Sequence, residues 1–201
     1  IDEKGKPVSV YFKESKDANK LVEEFMLLAN RTVAEKIGRV PKSKKPKVFP
    51  YRIHDLPDPE KLDNLSQFIA RFGYKLRTSG TKTDVSKSIN HLLDDIQGKK
   101  EENLIETVSI RAMQKARYSV HNIGHYGLSF DYYTHFTSPI RRYPDLLIHR
   151  IMSAYLTGMK RENIEKRYRT FVSEAAEKTS MQEVRAMGIE RDCEDCYKAE
   201  Y

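Results

Sequence analysis

The stretch Tyr133-Thr134-His135-Phe136-Thr137-Ser138-Pro139-Ile140-Arg141-Arg142-Tyr143-Pro144-Asp145-Leu146-Leu147-Ile148-His149-Arg150 constrains the chain most. Ser138 reads as a helix N-cap with Pro139 at the first helical position, where its missing N–H costs nothing. Pro144 does not fit a helix interior, so either a short turn precedes the main helix or its first turns are kinked. From Leu146 onward the pairs Leu147/Ile148, Ile151/Met152 and Tyr155/Leu156 define a buried helical stripe. Arg141 and Arg142 stand at the start of that helix, where the backbone dipole favours anions by a few tenths to about 1 kcal/mol. Two guanidinium forks beside free N–H groups form a phosphate cradle. The alternative is that the arginines face water or pair with nearby carboxylates. A local rule broken without visible compensation points to a functional site.

A length of 201 residues allows one sizeable domain or two small ones. The hydrophobic fraction of 39%, with 12 Tyr and 8 Phe, suffices for a core. The net charge of +7, from 36 Lys and Arg against 29 Asp and Glu, favours an anionic partner such as nucleic acid. No apolar run is long enough for a membrane span, and the N-terminus has no apolar signal core, so a cytoplasmic protein is expected. Cys193 and Cys196 have C-x-x-C spacing but no second ligand pair. Because they fall on a regular helical seam, they are expected to be small packing residues.

Along the chain, residues 7–12 alternate, with Val8, Val10 and Phe12 on one side, and predict a strand. Asp2-Glu3-Lys4-Gly5-Lys6 before it is a turn sequence with no earlier strand to pair, so the chain is expected to begin inside a larger fold. A helix is predicted over 17–37, with Leu21, Val22, Phe25, Leu28, Ala29, Val33 and Ile37 on one face and Gly38 ending it. Residues 41–47 form a basic loop, and 48–54 a short strand. Asp58 and Pro59 open a helix that buries Leu62, Leu65, Phe68/Ile69 and Phe72 and closes at Gly73. Further helices are predicted over 84–97, with Ile89, Leu92/Leu93 and Ile96 inward, and over 103–117. Residues 121–127 form a loop and 128–136 an extended segment. Residues 161–198 form one long helix. Its seam of Tyr168, Val172, Ala175, Thr179, Gln182, Ala186, Ile189, Cys193 and Cys196 has a 3.5-residue period suited to a neighbouring helix.

His121 and His125 have the i, i+4 spacing of a zinc-protease helix, but Asn122 stands where the catalytic glutamate belongs and two glycines oppose a helix. His54, His91 and His149 read as structural. A glycine-rich phosphate loop, a serine nucleophile motif and the aromatic signature of RNA-recognition domains are missing. Residue by residue, the chain is a mostly helical domain that binds polyanions.

The segment Phe136–Leu146 followed by His149-Arg150 resembles very closely the signature of the RNB exoribonuclease family, that of ribonuclease II and ribonuclease R. Leu21-Val22-Glu23-Glu24-Phe25-Met26-Leu27-Leu28-Ala29-Asn30, Arg111-Ala112-Met113-Gln114-Lys115-Ala116 and Glu190-Arg191-Asp192 resemble further family motifs in the same order. The resemblance implies an α+β fold, predominantly helical with a few short strands. It implies a processive hydrolytic 3′→5′ exoribonuclease that degrades single-stranded RNA from its 3′ end to nucleoside 5′-monophosphates, using Mg²⁺ held by an aspartate cluster. By the same resemblance Arg141 grips the scissile phosphate and Arg142 is a second basic contact. Glu23 or Glu24 packs against the terminal base, Glu190 lines the other side of the 3′-terminal nucleotide, and His149 and Arg150 belong to the RNA-binding set.

The chain departs from the family pattern in one important respect. It contains no clustered aspartate motif, and the Asp94-Asp95 pair does not match one. Residues 1–201 are therefore expected to be the C-terminal portion of an RNB catalytic domain, with the Mg²⁺ ligands upstream and no activity in isolation. A non-catalytic basic RNA-binding module is the alternative.

Overall fold

The structure is a computed structural model describing residues 2–3, 5–9, 14–41 and 43–201, apart from the Lys82 side chain. Among the described residues it is predominantly helical with one two-stranded sheet, the α+β class expected. The chain divides into two compact units, one made of 1–53 with 117–201 and the other of 54–116.

The first unit contains helix α1 (Asp17–Gly38), strands β1 (Tyr51–Ile53) and β2 (Arg117–Ser119), helix α5 (Tyr143–Leu156) and helix α6 (Arg161–Glu200). β1 and β2 pair antiparallel, with Tyr51 opposite Ser119. The extended segment 133–136 runs along β1: the Arg52 amide donates to the Tyr133 carbonyl at 2.9 Å and the Thr134 hydroxyl to the Pro50 carbonyl at 2.8 Å. Leu147, Ile151 and Ala154 of α5 pack on Ile164, Tyr168 and Val172 of α6, with Val48 in the same cluster. Burial of each such aliphatic side chain contributes about 1.5–3 kcal/mol. Leu156 lies off this stripe and is exposed, contrary to the predicted pattern.

The seam on α6 also differs from expectation. The buried positions are Ile164, Tyr168, Val172 and Ala176, spaced by four, and residues 184–200 are all exposed. Cys193 and Cys196 are therefore exposed thiols rather than packing residues. The expected 3.5-residue period thus gives way to a spacing of four on the face that packs against α5 and β2, and Glu183 reaches Arg52 of β1 at 2.5 Å.

α1 follows the predicted helix closely, yet Leu21, Val22, Phe25 and Leu28 are more than half exposed. Burial begins in its last turns, at Asn30, Ala34, Ile37 and Gly38. Gly38 is the final residue of α1, and its role is close approach: a Cβ there would sit 2.5 Å from the Tyr51 hydroxyl and 3.0 Å from Cδ1 of Tyr132. Residues 7–9 carry no regular element, while Val10 and Phe12 of the predicted strand lie outside the described residues.

The second unit contains α2 (Pro59–Ala70), α3 (Lys82–Ile96) and α4 (Glu102–Ala112) around Leu62, Leu65, Ile69, Ile89, Leu92, Ile96 and Ile105. Asp58 caps α2 by accepting from the Glu60 amide at 3.0 Å, as the Asp-Pro sequence predicted. α3 starts two residues before its predicted start because Thr81 and Asp84 form a capping box. Phe72 is 41% exposed, against the expectation of burial. α4 stops at Ala112 rather than 117, and Arg117 belongs to β2. His54 Nε2 shares a 2.7 Å hydrogen bond with the Gln114 carbonyl.

Candidate functional site

The turn before α5 resolves the two alternatives left open by Pro139 and Pro144. The amides of Arg141 and Arg142 both point to the Ser138 carbonyl, at 3.3 and 3.0 Å, closing a short turn over Pro139–Arg141. α5 then starts at Tyr143, with Pro144 in its first turn where no N–H is needed. Ser138 is not the helix N-cap. Arg142 holds that position, and it makes no side-chain cap hydrogen bond.

Asp145 organises this turn, a role the sequence reading did not assign. Its carboxylate is fully buried, and Oδ2 accepts from the Ser138 amide at 2.8 Å and from Arg142 Nη2 and Nε at 2.8 and 3.2 Å. An acid in the first helical turn, three residues after an arginine, was the available signal. Oδ1 of Asp145 is buried without a hydrogen-bond partner among the described residues. A buried acceptor left so costs about 1–3 kcal/mol.

The two adjacent arginines therefore have different situations. Arg142 is paired with a carboxylate, with only 21% of its side chain accessible. Arg141 is exposed and, among the described residues, makes no ion pair or side-chain hydrogen bond. The turn presents Arg141 to solvent as an uncommitted guanidinium.

A buried polar and aromatic frame holds the segment leading into the turn. Asn30 of α1 donates through Nδ2 to the Tyr133 hydroxyl at 3.1 Å and accepts at Oδ1 from the Phe136 amide at 2.8 Å. The His149 ring stacks on Phe136 at 4.2 Å, and its Nε2 shares a 2.9 Å hydrogen bond with the Phe136 carbonyl. His135 shares a 2.7 Å hydrogen bond with the Tyr118 hydroxyl and meets the Tyr118 and Tyr133 rings edge-on. Burial, together with the positive charges of Arg142, Arg52 and Arg141, pushes the His135 imidazole down to about 3. It is neutral at physiological pH. Burial likewise raises the Tyr118 and Tyr133 hydroxyls, so both stay protonated. The turn is thus a region of positive potential with a neutral aromatic floor.

The other candidate residues are placed as follows. Glu23 and Glu24 are exposed on α1, about two turns before Asn30. Glu190 is exposed within the stretch 184–200 of α6, and Arg150 is exposed on α5. Among the described residues none of these four makes an ion pair or side-chain hydrogen bond. No group of three or more His, Cys, Asp or Glu among the described residues is gathered to hold a metal ion. The described residues therefore gather no carboxylate set that fits Mg²⁺. Among the described residues no helix is long and apolar enough to cross a membrane.

Comparison with known proteins matches residues 1–158 to the RNB domain. The chain is 38% identical over 204 residues to ribonuclease R of Aquifex aeolicus, covering 100% of this chain and 27% of that protein. It thus spans about a quarter of the length of the curated relatives it matches. Among solved structures it is similar to Mycoplasma genitalium RNase R in complex with ribose methylated single-stranded RNA. The TM-score is 0.86 and the identity 26%, covering 100% of this chain and 31% of that one. It is also similar to yeast Ssd1, a pseudonuclease, with a TM-score of 0.62 and 27% identity over 81% of this chain and 20% of that one. The matched span contains both compact units as far as Gly158, the Arg141 turn and its Asp145 anchor included, and the chain belongs to the RNB-domain family.

Proposed function

We propose that this chain forms part of a processive hydrolytic 3′→5′ exoribonuclease that degrades single-stranded RNA to nucleoside 5′-monophosphates. Residues 1–201 are proposed to be the C-terminal portion of one RNB catalytic domain, a reading supported by a family match that runs through both compact units. The observation carrying the proposal is the uncommitted Arg141 guanidinium beside an Arg142 held by Asp145. Arg141 grips the scissile phosphate, where its planar fork suits bidentate contact and offsets charge developing in the transition state. Arg142 adds positive potential while anchoring the turn. Glu23 or Glu24 packs against the terminal base, and Glu190 lines the other side of the 3′-terminal nucleotide. Arg150 contacts RNA, while His149 positions Phe136 at the base of the RNA-binding turn.

Mg²⁺ is the proposed metal, with its ligands outside the described residues of this chain. The 201-residue chain with Mg²⁺ is expected to release no mononucleotide from 3′-labelled RNA; release would overturn that assignment. In the whole protein, Arg141→Ala is expected to lower turnover by about 10²–10³, the effect of removing one transition-state donor. Turnover near that of the parent would refute the phosphate contact.

A second reading is favoured by the similarity to a pseudonuclease: a non-catalytic basic RNA-binding module. Salt-dependent RNA affinity without mononucleotide release by the whole protein would establish it in place of the first.

A further inference from the structure

We propose that the cleft beside the basic loop 44–47 binds the phosphate of a nucleotide, free or within an RNA strand, at a site separate from Arg141. The cleft has a volume of about 980 Å³, within the range of small-molecule sites. Lys44, Lys45, Lys47, His121, Arg169 and the Tyr132 ring line it, and among the described residues no Asp or Glu does.

Three observations carry the proposal. First, the loop is held by a cation rather than neutralised by an acid: Arg161 Nη2 donates to the Lys45 carbonyl and, at 3.0 Å, to the Pro46 carbonyl. Secondly, Arg161 and Arg169 share one carboxylate, Glu165, at 2.9 and 2.8 Å. Among the described residues Lys44, Lys45 and Lys47 have no ion pair, which leaves three positive charges at one rim. Like charges gathered without compensation repel unless an anion joins them. Thirdly, the rim is built onto rings. Lys47 Nζ lies 5.2 Å from the centre of the Tyr155 ring behind the cleft, and Arg39, paired with Glu35 at 3.7 Å, lies 5.7 Å from that of the lining Tyr132 ring. Cations beside aromatic faces suit a phosphate with a base attached.

The test is amide-resolved NMR of the ¹⁵N-labelled 201-residue chain, titrated with AMP, adenosine, inorganic phosphate and a hexameric oligo(A). Shifts at Lys44–Phe49 and Val120–Asn122 are expected with AMP or with the oligonucleotide, and not with adenosine. A response to AMP assigns the free nucleotide, and a response to the oligonucleotide alone assigns strand-borne phosphate. Lys44 and Lys45 are exposed, so Lys44→Glu with Lys45→Glu keeps the fold and is expected to weaken binding at least tenfold. Arg141→Ala is expected to leave these shifts intact, so failure here and failure at the Arg141 turn are read separately. Equal responses to adenosine and AMP, no shifts at the basic loop, or undiminished binding by the double variant would each overturn the proposal.

Discussion

The Arg142 guanidinium closes on the fully buried Asp145 carboxylate at 2.8 Å, while Arg141, its neighbour in the chain, reaches solvent with no carboxylate partner among the described residues. Two residues of the same type thus take opposite parts. One fixes the backbone of the turn, and the other is what the turn displays.

This separation predicts that stability and binding divide between them. Arg142→Ala strands a buried carboxylate and is expected to cost about 3–5 kcal/mol in urea unfolding. Arg141→Ala is expected to change stability by less than about 0.5 kcal/mol, as for an exposed, unpaired side chain. Equal destabilisation by the two variants would contradict the division.

Asn30 ties α1 to the segment that leads into the turn. Asn30→Ala is expected to leave the Phe136 amide and the Tyr133 hydroxyl without this partner, at about 1–3 kcal/mol for each buried group. Equilibrium unfolding measures it, and loss of hydrogen-exchange protection at the Phe136 amide would locate the effect.

Gly38→Ala is expected to destabilise by about 1–3 kcal/mol, through overpacking. The added methyl would meet the Tyr51 hydroxyl at 2.5 Å, inside a cluster that also holds Phe49 and Ile148. An unchanged unfolding midpoint would mean that the rings of Tyr51 and Tyr132 move aside freely.

His135 predicts an acid-sensitive fold. An unfolded histidine takes up its proton near pH 6.5, whereas buried His135 stays neutral until about 3. Its contribution is complete above about 6.5 and lost as pH falls towards 3, by about 1.4 kcal/mol per unit within that window. Urea midpoints measured between pH 7.5 and 5 check the slope. His135→Gln is expected to flatten it by about one proton, and an identical slope in that variant would contradict the assignment.

Much of the scaffold was legible in local chemistry. The Asp58-Pro59 start of α2, the helical span of α1 and the uninterrupted α6 follow from caps and periodicity. Periodicity did not reveal which faces are covered, because burial depends on partners distant in the chain. Leu21, Phe25 and residues 184–200 of α6 have the pattern of packed helices yet are exposed among the described residues. β2 was hidden because its three residues have no local pattern of their own and become a strand by pairing with β1, Arg117 being the one expected in a helix. At the turn, Arg141 and Arg142 were legible as a charge anomaly. Their division was not, since it depends on Asp145 being buried with Oδ2 facing Arg142.

The most direct test of the central claim is the salt dependence of single-stranded RNA binding by the 201-residue chain and its Arg141→Ala variant. If Arg141 holds a phosphate, the variant binds more weakly and its slope of log K against log salt is shallower by about 0.7, one phosphate contact on a single strand. Superimposable salt curves for the two proteins would contradict it.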